Sequence, residues 1–534
     1  MKFKKLHTTL MVFGIAACNV ASAQLFIDNA QFFIQPGATV TVQGNVTSNT
    51  DILGTGVLQM KGAAAQSLNM NGFTIPNLEI DNVNNVTLAG AARVSGVVTF
   101  TNGKLQLGAN NFTLTNTATF AGTPGANKFI ETNGTGQVVK LLTANVAALQ
   151  LPLGAGAVYR PAFITSTGTY VNASVGLKVV GAVDPNKPPM ISDYVLTHWP
   201  VTRTGITGTL SVTGQYDAAD VSGTEANLRG YFFNGTDWTS TGEAHDAALN
   251  RVTVPVTTAA GDVAGMDKFV LTRAKVFLQG AYNSITGVMT DLLRTPTNLI
   301  PLTDPYRSAP FTTNFVHVAN TIPETAAAAV FTNQAVTDNN IVDWVFIELR
   351  NSTVSPGNTV LQTRSALLKK NGDIVDVDGI SPVTFNNTPN GSFTIAVRHR
   401  NHLGISADPS TNLKALNETK STVSPLDFTT ATDAQIFGTS AAYVVLGGRN
   451  VMWAGNANFN NTVRYGGLAN DKDYLFVTTL GNNPLTVINN VYSPADMNLN
   501  RIVRFGGLAN DKDVLFVNAL SNNALTVRTQ SLPN

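Results

Sequence analysis

The sequence predicts a mainly β fold, with an N-terminal β-solenoid-like region, β-sandwich domains and a small C-terminal α-containing repeat module. Three observations predict it. Short runs of β-forming residues recur along the chain between turns rich in Asn and Gly. Charged residues make up 13% of the 534 residues, where soluble domains usually have ~25%. The C-terminal residues 451–534 contain an internal duplication.

Residues 1–23 have the features of a bacterial-type signal peptide. A lysine-rich start precedes an apolar stretch at 9–17, and a small-x-small cleavage site ends at Ala23. Cys18, the only cysteine, also ends a lipobox-like run in which it would be acylated. Cleavage after Ala23 and acylation of Cys18 both remain open. Either predicts a secreted or outer-surface protein, with membrane contact only through a lipid anchor at Cys18.

Residues 24–135 predict a parallel β-solenoid. Short strands such as those at 57–60, 78–80, 86–88 and 98–100 recur about every seven to eleven residues between polar turns. Stacked coils would produce this spacing, with the turns projecting outward. A meandering β-sandwich is the alternative that the same spacing leaves open.

Residues 136–275 and 276–405 predict two β-sandwiches. Strands in the first region are longer and alternate in polarity, as sheet-on-sheet packing requires. In the second region, the run at 343–350 is apolar on both faces, which predicts a central strand. Residues 406–450 are weakly periodic and predict a connecting segment.

Two Asn-Gly pairs predict tight hairpins within these regions. Asn234-Gly235 lies between two β-forming runs in the first sandwich region, and Asn371-Gly372 does so in the second. Both central residues of a type I′ turn have positive φ, which Asn and Gly tolerate best.

The duplication in 451–534 has a period of 40 residues. The run 458–473 (NFNNTVRYGGLANDKD) returns as 498–513 (NLNRIVRFGGLANDKD), and a short helical pattern follows each copy. Two such half-units are expected to share one small core.

Both copies carry oxygen ligands at alternate positions, which is typical of a Ca²⁺ loop. The predicted ligands are Asp496, Asn498, Asn500, Asp511 and Asp513 in copy two, and Asn456, Asn458, Asn460, Asp471 and Asp473 in copy one. Amide oxygens bring no charge, so copy one is expected to bind Ca²⁺ more weakly. Alternatively, Asp471 and Asp511 act as helix N-caps, and the asparagines serve turns.

The duplicated loops resemble those of dockerin-type modules, here closed by Asn-Asp-Lys-Asp. The chain from 275 onward is similar to secreted Bacteroidota surface proteins labelled hemagglutinin-like. The runs that carry this similarity are 275–283 (KVFLQGAYN), 342–345 (VDWV), 348–350 (ELR) and 397–403 (VRHRNHL). The loops depart from the dockerin pattern because Asn461 and Arg501 stand where the sixth position has glycine.

The candidate catalytic residues do not form a recognisable set. If the strand continues past His399, it and His402 point to opposite faces, and so do Asp343 and Glu348. Asp343 and Glu348 are expected to face solvent or to pair with Arg350. Serine hydrolase, zinc protease and nucleotide-binding motifs are absent from the sequence. The sequence therefore predicts that the protein is not an enzyme.

These observations predict a non-catalytic exported surface or extracellular protein. It would act in adhesion or as structural surface material, with a calcium-stabilised C-terminal interaction module. An extracellular protein or a glycan is the expected partner, and self-association is also open. The net charge of +1, without a basic run, does not indicate nucleic acid. The alternative is an accessory protein of an extracellular polysaccharide-degrading system, attached through its dockerin-like end.

Overall fold

The computed structural model describes residues 24–352, 358–420, 422–423 and 425–533, without the side chains of 241–244. The predicted signal peptide and Cys18 lie outside the described residues. The chain forms two compact units. The first runs up to Gly181 and includes Trp199–Asp217 and Val256–Ala260, and the second contains Ala182–His198, Ala218–Pro255 and the chain from Gly261 onward. The fold is mainly β, as predicted.

The first unit begins with a parallel β-solenoid that has three strands in each coil. Val57 pairs with Asn77, and Gln66 pairs with Val86, so one coil takes 20 residues. Three strands in 20 residues explain the spacing seen in the sequence. Because neighbouring strands are parallel, the meandering sandwich is excluded.

The solenoid strands form three faces. The first contains Leu25–Ile27, Val46–Ser48, Gln66–Asn69, Val86–Leu88, Leu105–Gln106, Ile130–Glu131, Leu153–Ala155 and the antiparallel Val158–Tyr159. The second contains Phe32–Ile34, Ile52–Gly54, Thr74–Ile75, Ala92–Val94, Phe112–Leu114 and Val138–Leu142. The third contains Thr39–Val42, Val57–Met60, Asn77–Asp81, Val97–Asn102 and Thr119–Gly122.

Side chains that point inward from these strands stack between coils. Leu58, Leu78 and Val98 occupy matching positions and are completely buried. Strand residues alternate in direction, so every second residue is left on the outer surface. Parallel pairing continues past residue 135, to Val138–Leu142 and Leu153–Ala155. The unit ends in the antiparallel strands Val146–Leu151, Ala162–Leu177 and the part of Tyr194–Gln215 that starts at Trp199.

Two solenoid glycines allow a matched test of coil packing. Gly103 and Gly72 both have positive φ, but a Cβ on Gly103 would lie 1.8 Å from the Asn82 carbonyl oxygen, whereas one on Gly72 would meet nothing within 4 Å. We expect Gly103→Ala to destabilise the solenoid by about 2 kcal/mol and Gly72→Ala by about 1 kcal/mol. Hydrogen exchange of the amides in Val97–Asn102 measures both. Equal effects would contradict close coil contact at Gly103.

The second unit is built around one large sheet. Its strands follow the order His402–Ser406, Gly391–His399, Ile341–Arg350, Val360–Lys369, Asp373–Val375, Ala274–Lys275 and Leu426–Asp427, and Lys414–Leu416 pairs with Gly391–His399. All residues of Ile341–Arg350 are buried, which confirms the predicted central strand. Both Asn-Gly hairpins are confirmed, since Phe233 pairs with Trp238 and Leu368 pairs with Ile374.

Smaller elements complete this unit. The remaining strands are Val221–Ser222, Leu228–Phe233, Trp238–Ala244, Arg251–Pro255, Ala260–Asp267, Phe269–Thr272, Tyr282–Asn283, Val288–Met289, Val383–Asn386, Tyr443–Leu446 and Arg449–Met452. The 3₁₀ turns are Ala218–Asp220, Glu225–Asn227, Pro305–Arg307, Phe311–Thr313, Ala328–Phe331, Thr337–Asn339, Asp433–Gln435 and Thr439–Ala442. The predicted connecting segment 406–450 thus supplies strands, including Leu426–Asp427 in the main sheet.

The repeat module exchanges strands between its two copies. Thr462–Arg464 pairs with Val527–Thr529, and Val487–Asn489 pairs with Ile502–Arg504. Each copy has one short helical segment, Asp471–Asp473 continuing as Tyr474–Thr479, and Asp511–Asp513 continuing as Val514–Ala519. Buried residues of both copies, such as Leu475 and Leu515, belong to one core. The structure thus shows the shared core that the duplication predicts.

Among the described residues, no helix has the length and apolar character needed to cross a membrane.

Candidate calcium loops and their support

The copy-two loop is organised around the Asp496 carboxylate. Asp496 accepts hydrogen bonds from the backbone N–H groups of Asn500 at 3.0 Å and Arg501 at 2.8 Å. Arg501 has a φ of 68°, and its counterpart Asn461 has 67°. Calcium loops use glycine at this sixth position to make a sharp turn. Arg501 and Asn461 adopt a positive φ at this position without being glycine.

Asp511 connects the two ends of the copy-two loop. One carboxylate oxygen accepts from the Met497 N–H at 2.8 Å, and the other accepts from the Arg504 N–H at 3.0 Å. Asn498 and Asn500 both donate to the Ala509 carbonyl, at 2.8 and 3.2 Å. Four of the five predicted copy-two ligands therefore lie in one loop.

The carboxylates of Asp496 and Asp511 are completely buried, and neither has an ion-pair partner within 4.0 Å among the described residues. Burial raises the pKa of Asp496 to about 6, and the charge of Arg400 opposes this. Burial raises the pKa of Asp511 well above its usual range, and the charge of Asp496 raises it further. The loop thus has unbalanced negative charge when both groups ionise.

Copy one repeats this arrangement with less charge. Asp471 accepts from the N–H groups of Asn458 at 3.4 Å and Arg464 at 2.9 Å, and burial raises its pKa to about 7. Asn458 and Asn460 donate to the Ala469 carbonyl, at 2.7 and 2.8 Å. Asn456 replaces Asp496, and its buried Oδ1 has no hydrogen-bond partner among the residues that the structure describes.

Asp473 and Asp513 make their contacts outside the loops. Their carboxylates accept from the Asn470 and Asn510 side chains at 2.7 Å, and they pair with Lys472 and Lys512 at 3.0 and 3.1 Å. The Asn470 hydrogen bond, followed by Lys472, lowers the pKa of Asp473. The residues that cap the helical segments are Asn470 and Asn510. The alternative in which Asp471 and Asp511 are the N-caps is therefore wrong.

The strand does not continue past His399, so the condition for opposite faces is not met, and a turn brings His399 and His402 together. The strand ends at His399, and His402 begins the next one, so their Nδ1 atoms lie 3.1 Å apart. Asp343, distant in sequence, completes the group. One of its oxygens contacts His399 Nε2 at 3.1 Å and Arg400 Nε at 2.8 Å, and the other accepts from the Tyr492 hydroxyl at 2.7 Å.

This buried network supports the copy-two loop. The Asn401 side chain donates to the backbone carbonyls of Pro494 at 3.1 Å and Asp496 at 2.7 Å, and Arg400 donates to the Ser493 carbonyl. In addition, Leu499 of the same loop is buried in the main core of the second unit. The loop therefore lies directly on the sheet domain. Sequence reasoning missed this because Asp343 and Tyr492 are far apart in the chain.

Asp343 and Glu348 belong to separate ion-pair groups. Glu348 pairs with Arg350 at 2.7 Å, as predicted, and with Arg398 at 3.2 Å. Both carboxylates are buried and do not face solvent. Burial alone would raise the pKa of Asp343, but Arg400 and His399 outweigh burial and lower it to about 2. Burial lowers the pKa of His399, and the hydrogen bond and charge of Asp343 oppose this.

The low pKa of Asp343 predicts an acid-sensitive contribution to stability. A carboxyl whose pKa falls on folding stabilises the protein above its unfolded pKa, and this stabilisation is lost as pH falls through the folded pKa. Between pH ~4 and ~2, the stability difference between wild type and Asp343→Asn should therefore shrink by about 2 kcal/mol. Hydrogen exchange of Ile341–Arg350 at each pH measures this stability difference. A stability difference that stays constant between pH ~4 and ~2 would contradict the low pKa of Asp343.

No protein-family model, curated protein or solved structure matches this chain.

Proposed function

We propose that this chain is a non-catalytic exported surface or extracellular protein, acting in adhesion or as structural surface material, with a calcium-stabilised C-terminal module. One observation carries the adhesion proposal. On the third face of the solenoid, Thr41, Gln59, Glu79 and Thr99 stand in register on successive coils. Parallel strands lie ~4.8 Å apart, so polar groups repeat along this face at that interval.

The chemistry of this ladder suits a glycan. Thr41 donates to the Gln59 side chain at 2.7 Å, and Thr101 donates to Glu79 at 2.6 Å. Hydroxyl, carboxamide and carboxylate groups held in fixed positions can exchange hydrogen bonds with sugar hydroxyls. An extended polysaccharide would meet several equivalent positions at once, and many weak contacts would then add up.

Two further observations support the remaining parts of the proposal. The group that most resembles a catalytic set, His399 with Asp343, is completely buried, and its members are hydrogen-bonded to one another. This supports a non-catalytic role. The copy-two loop holds Asp496, Asn498, Asn500 and Asp511 together, and these residues would be the Ca²⁺ ligands. A bound ion would supply the positive charge that the buried carboxylates lack.

Binding to immobilised polysaccharides and glycan arrays tests the adhesion proposal. We expect the triple variant Gln59→Ala, Glu79→Ala, Thr99→Ala to bind at least tenfold more weakly than wild type. The matched control is Ser67→Ala, Thr87→Ala, Gln106→Ala, which changes an in-register ladder on the first face. Equal binding by both triple variants, or no glycan binding by wild type, would overturn it. Fibre formation by wild type would favour structural material instead.

The accessory-protein role is the second candidate because the repeat module keeps exposed leucines at equivalent positions in both copies. Leu468 and Leu508 are 90% and 88% exposed, and Leu485 and Leu525 are 86% and 89% exposed. Leu499 packs in the main core of the second unit, whereas these leucines are exposed and could contact a receptor. Capture of one dominant partner by wild type, and its loss in Leu468→Ser, Leu508→Ser, would favour this role over adhesion.

A further inference from the structure

Three side chains in the second unit form a group separate from the calcium loops. Asp184 precedes the strand Tyr194–Gln215, His198 lies in that strand, and Asp262 lies in Ala260–Asp267. One ligand atom from each lies within 4.8 Å of the others. Asp184 and His198 are only 3% and 7% exposed.

The hydrogen bonding of His198 determines which ring nitrogen is available. Its Nδ1 lies 2.8 Å from the backbone carbonyl oxygen of Ala182. A carbonyl can only accept, so Nδ1 carries the proton and Nε2 of the neutral ring has a free electron pair. A metal-binding histidine is usually held in this way, with its other ring nitrogen donating to a carbonyl or carboxylate.

The two oxygens of Asp184 differ. Oδ1 accepts from the backbone N–H of Asn186 at 2.7 Å and from its side chain at 3.1 Å. Oδ2 is buried and has no hydrogen-bond partner in the described part of the chain. A buried carboxylate oxygen without a partner is costly, and a cation bound there would remove that cost.

We infer that Asp184, His198 and Asp262 bind a divalent transition-metal ion of the zinc class. His198 would supply Nε2, and each aspartate would supply one carboxylate oxygen. One imidazole with two carboxylates suits Zn²⁺ better than Ca²⁺, which takes oxygen ligands only. Three protein ligands leave a fourth tetrahedral position for water. The ion would connect the segment at Asp184 to the two strands that carry the other ligands.

A second group, also made of one histidine and two carboxylates, has basic side chains beside it. Asp304, His317 and Glu324 also place their ligand atoms within 4.8 Å of one another. There, Arg307 lies 3.3 Å from Asp304, and Arg364 lies 3.0 Å from Glu324. The guanidinium groups already balance the carboxylates and would repel a metal ion. No ion pair of this kind within 4.0 Å is found for Asp184 among the described residues.

Zinc titration of the full chain tests the inference. The protein is purified without a histidine tag, stripped with chelator and kept in millimolar Ca²⁺, and bound Zn²⁺ is then measured by calorimetry and elemental analysis. We expect wild type to bind one Zn²⁺ that His198→Gln and Asp184→Asn bind at least tenfold more weakly. His317→Gln should bind as wild type does.

Asp184→Asn keeps an acceptor for the Asn186 hydrogen bonds, so it should fold even if His198→Gln does not. In wild type, Zn²⁺ should also slow hydrogen exchange in Ala260–Asp267. Binding in wild type that neither variant weakens, loss of binding in His317→Gln, or no Zn²⁺ binding by wild type would each overturn the inference. Ca²⁺ is present throughout the titration. A negative zinc result would therefore contradict only the zinc site and would not contradict the calcium proposal.

Discussion

Asp343→Ala should reduce the stability of the second unit by about 3–5 kcal/mol, as expected when one partner of a buried ion pair is removed. Arg400 is completely buried, and its only ion-pair partner within 4.0 Å among the described residues is Asp343. The substitution would leave the guanidinium charge uncompensated. It would also leave the Tyr492 hydroxyl without the acceptor it now has at 2.7 Å.

Hydrogen exchange should show this loss in two places, at Ile341–Arg350 and at Ile502–Arg504 of the repeat module. The module is included because Arg400 and Asn401 hold the segment that enters the copy-two loop. Lys512→Ala is the control, since it breaks an exposed ion pair and should change stability by less than ~1 kcal/mol. Similar effects from both substitutions would show that the Asp343 network does not support the loop.

Millimolar Ca²⁺ should stabilise the repeat module by about 3 kcal/mol if its concentration reaches about 100 times the dissociation constant. The two copies provide reciprocal variants. Asp496→Asn gives copy two the residue found in copy one, and Asn456→Asp does the reverse. We expect the first to weaken Ca²⁺ binding at least tenfold and the second to strengthen copy one, since a carboxylate adds charge where an amide has none.

Calorimetric titration and thermal melting with chelator or Ca²⁺ measure these effects. Asp513→Asn is the control because that carboxylate pairs with Lys512 on the surface. It should leave Ca²⁺ affinity within about twofold of wild type, although Asp513 was among the ligands predicted from sequence. Unchanged melting between chelator and Ca²⁺ in wild type would contradict the calcium proposal, and loss of binding in Asp513→Asn would restore that residue as a ligand.

Local patterns were sufficient to predict much of this fold. Asn234-Gly235 and Asn371-Gly372 form hairpins in which the glycine of each pair takes a positive φ, 95° at Gly235 and 90° at Gly372. The strand at 343–350 is central, as the mostly apolar side chains on both of its faces predict, and its charged residues Asp343, Glu348 and Arg350 are buried in ion pairs. The short spacing at 24–135 suited coils of three strands, and the 40-residue duplication indicated a shared core. Each of these features can be read from one short segment or from a repeated segment, without knowing which distant residues meet.

The sequence by itself determined the mainly β fold and the paired loops, because these follow from periodicity and turn chemistry, whereas the parallel pairing in the structure decided between a solenoid and a meandering sandwich. Only the tertiary structure decided which polar groups meet. A turn at Arg400 and Asn401 reversed the chain, so His399 and His402 face each other. Asp343 reached them from a neighbouring strand. Asp184 and His198 likewise lie close to Asp262, which is on a neighbouring strand of the sheet. Such contacts depend on chain direction and strand order, which spacing along the sequence does not contain.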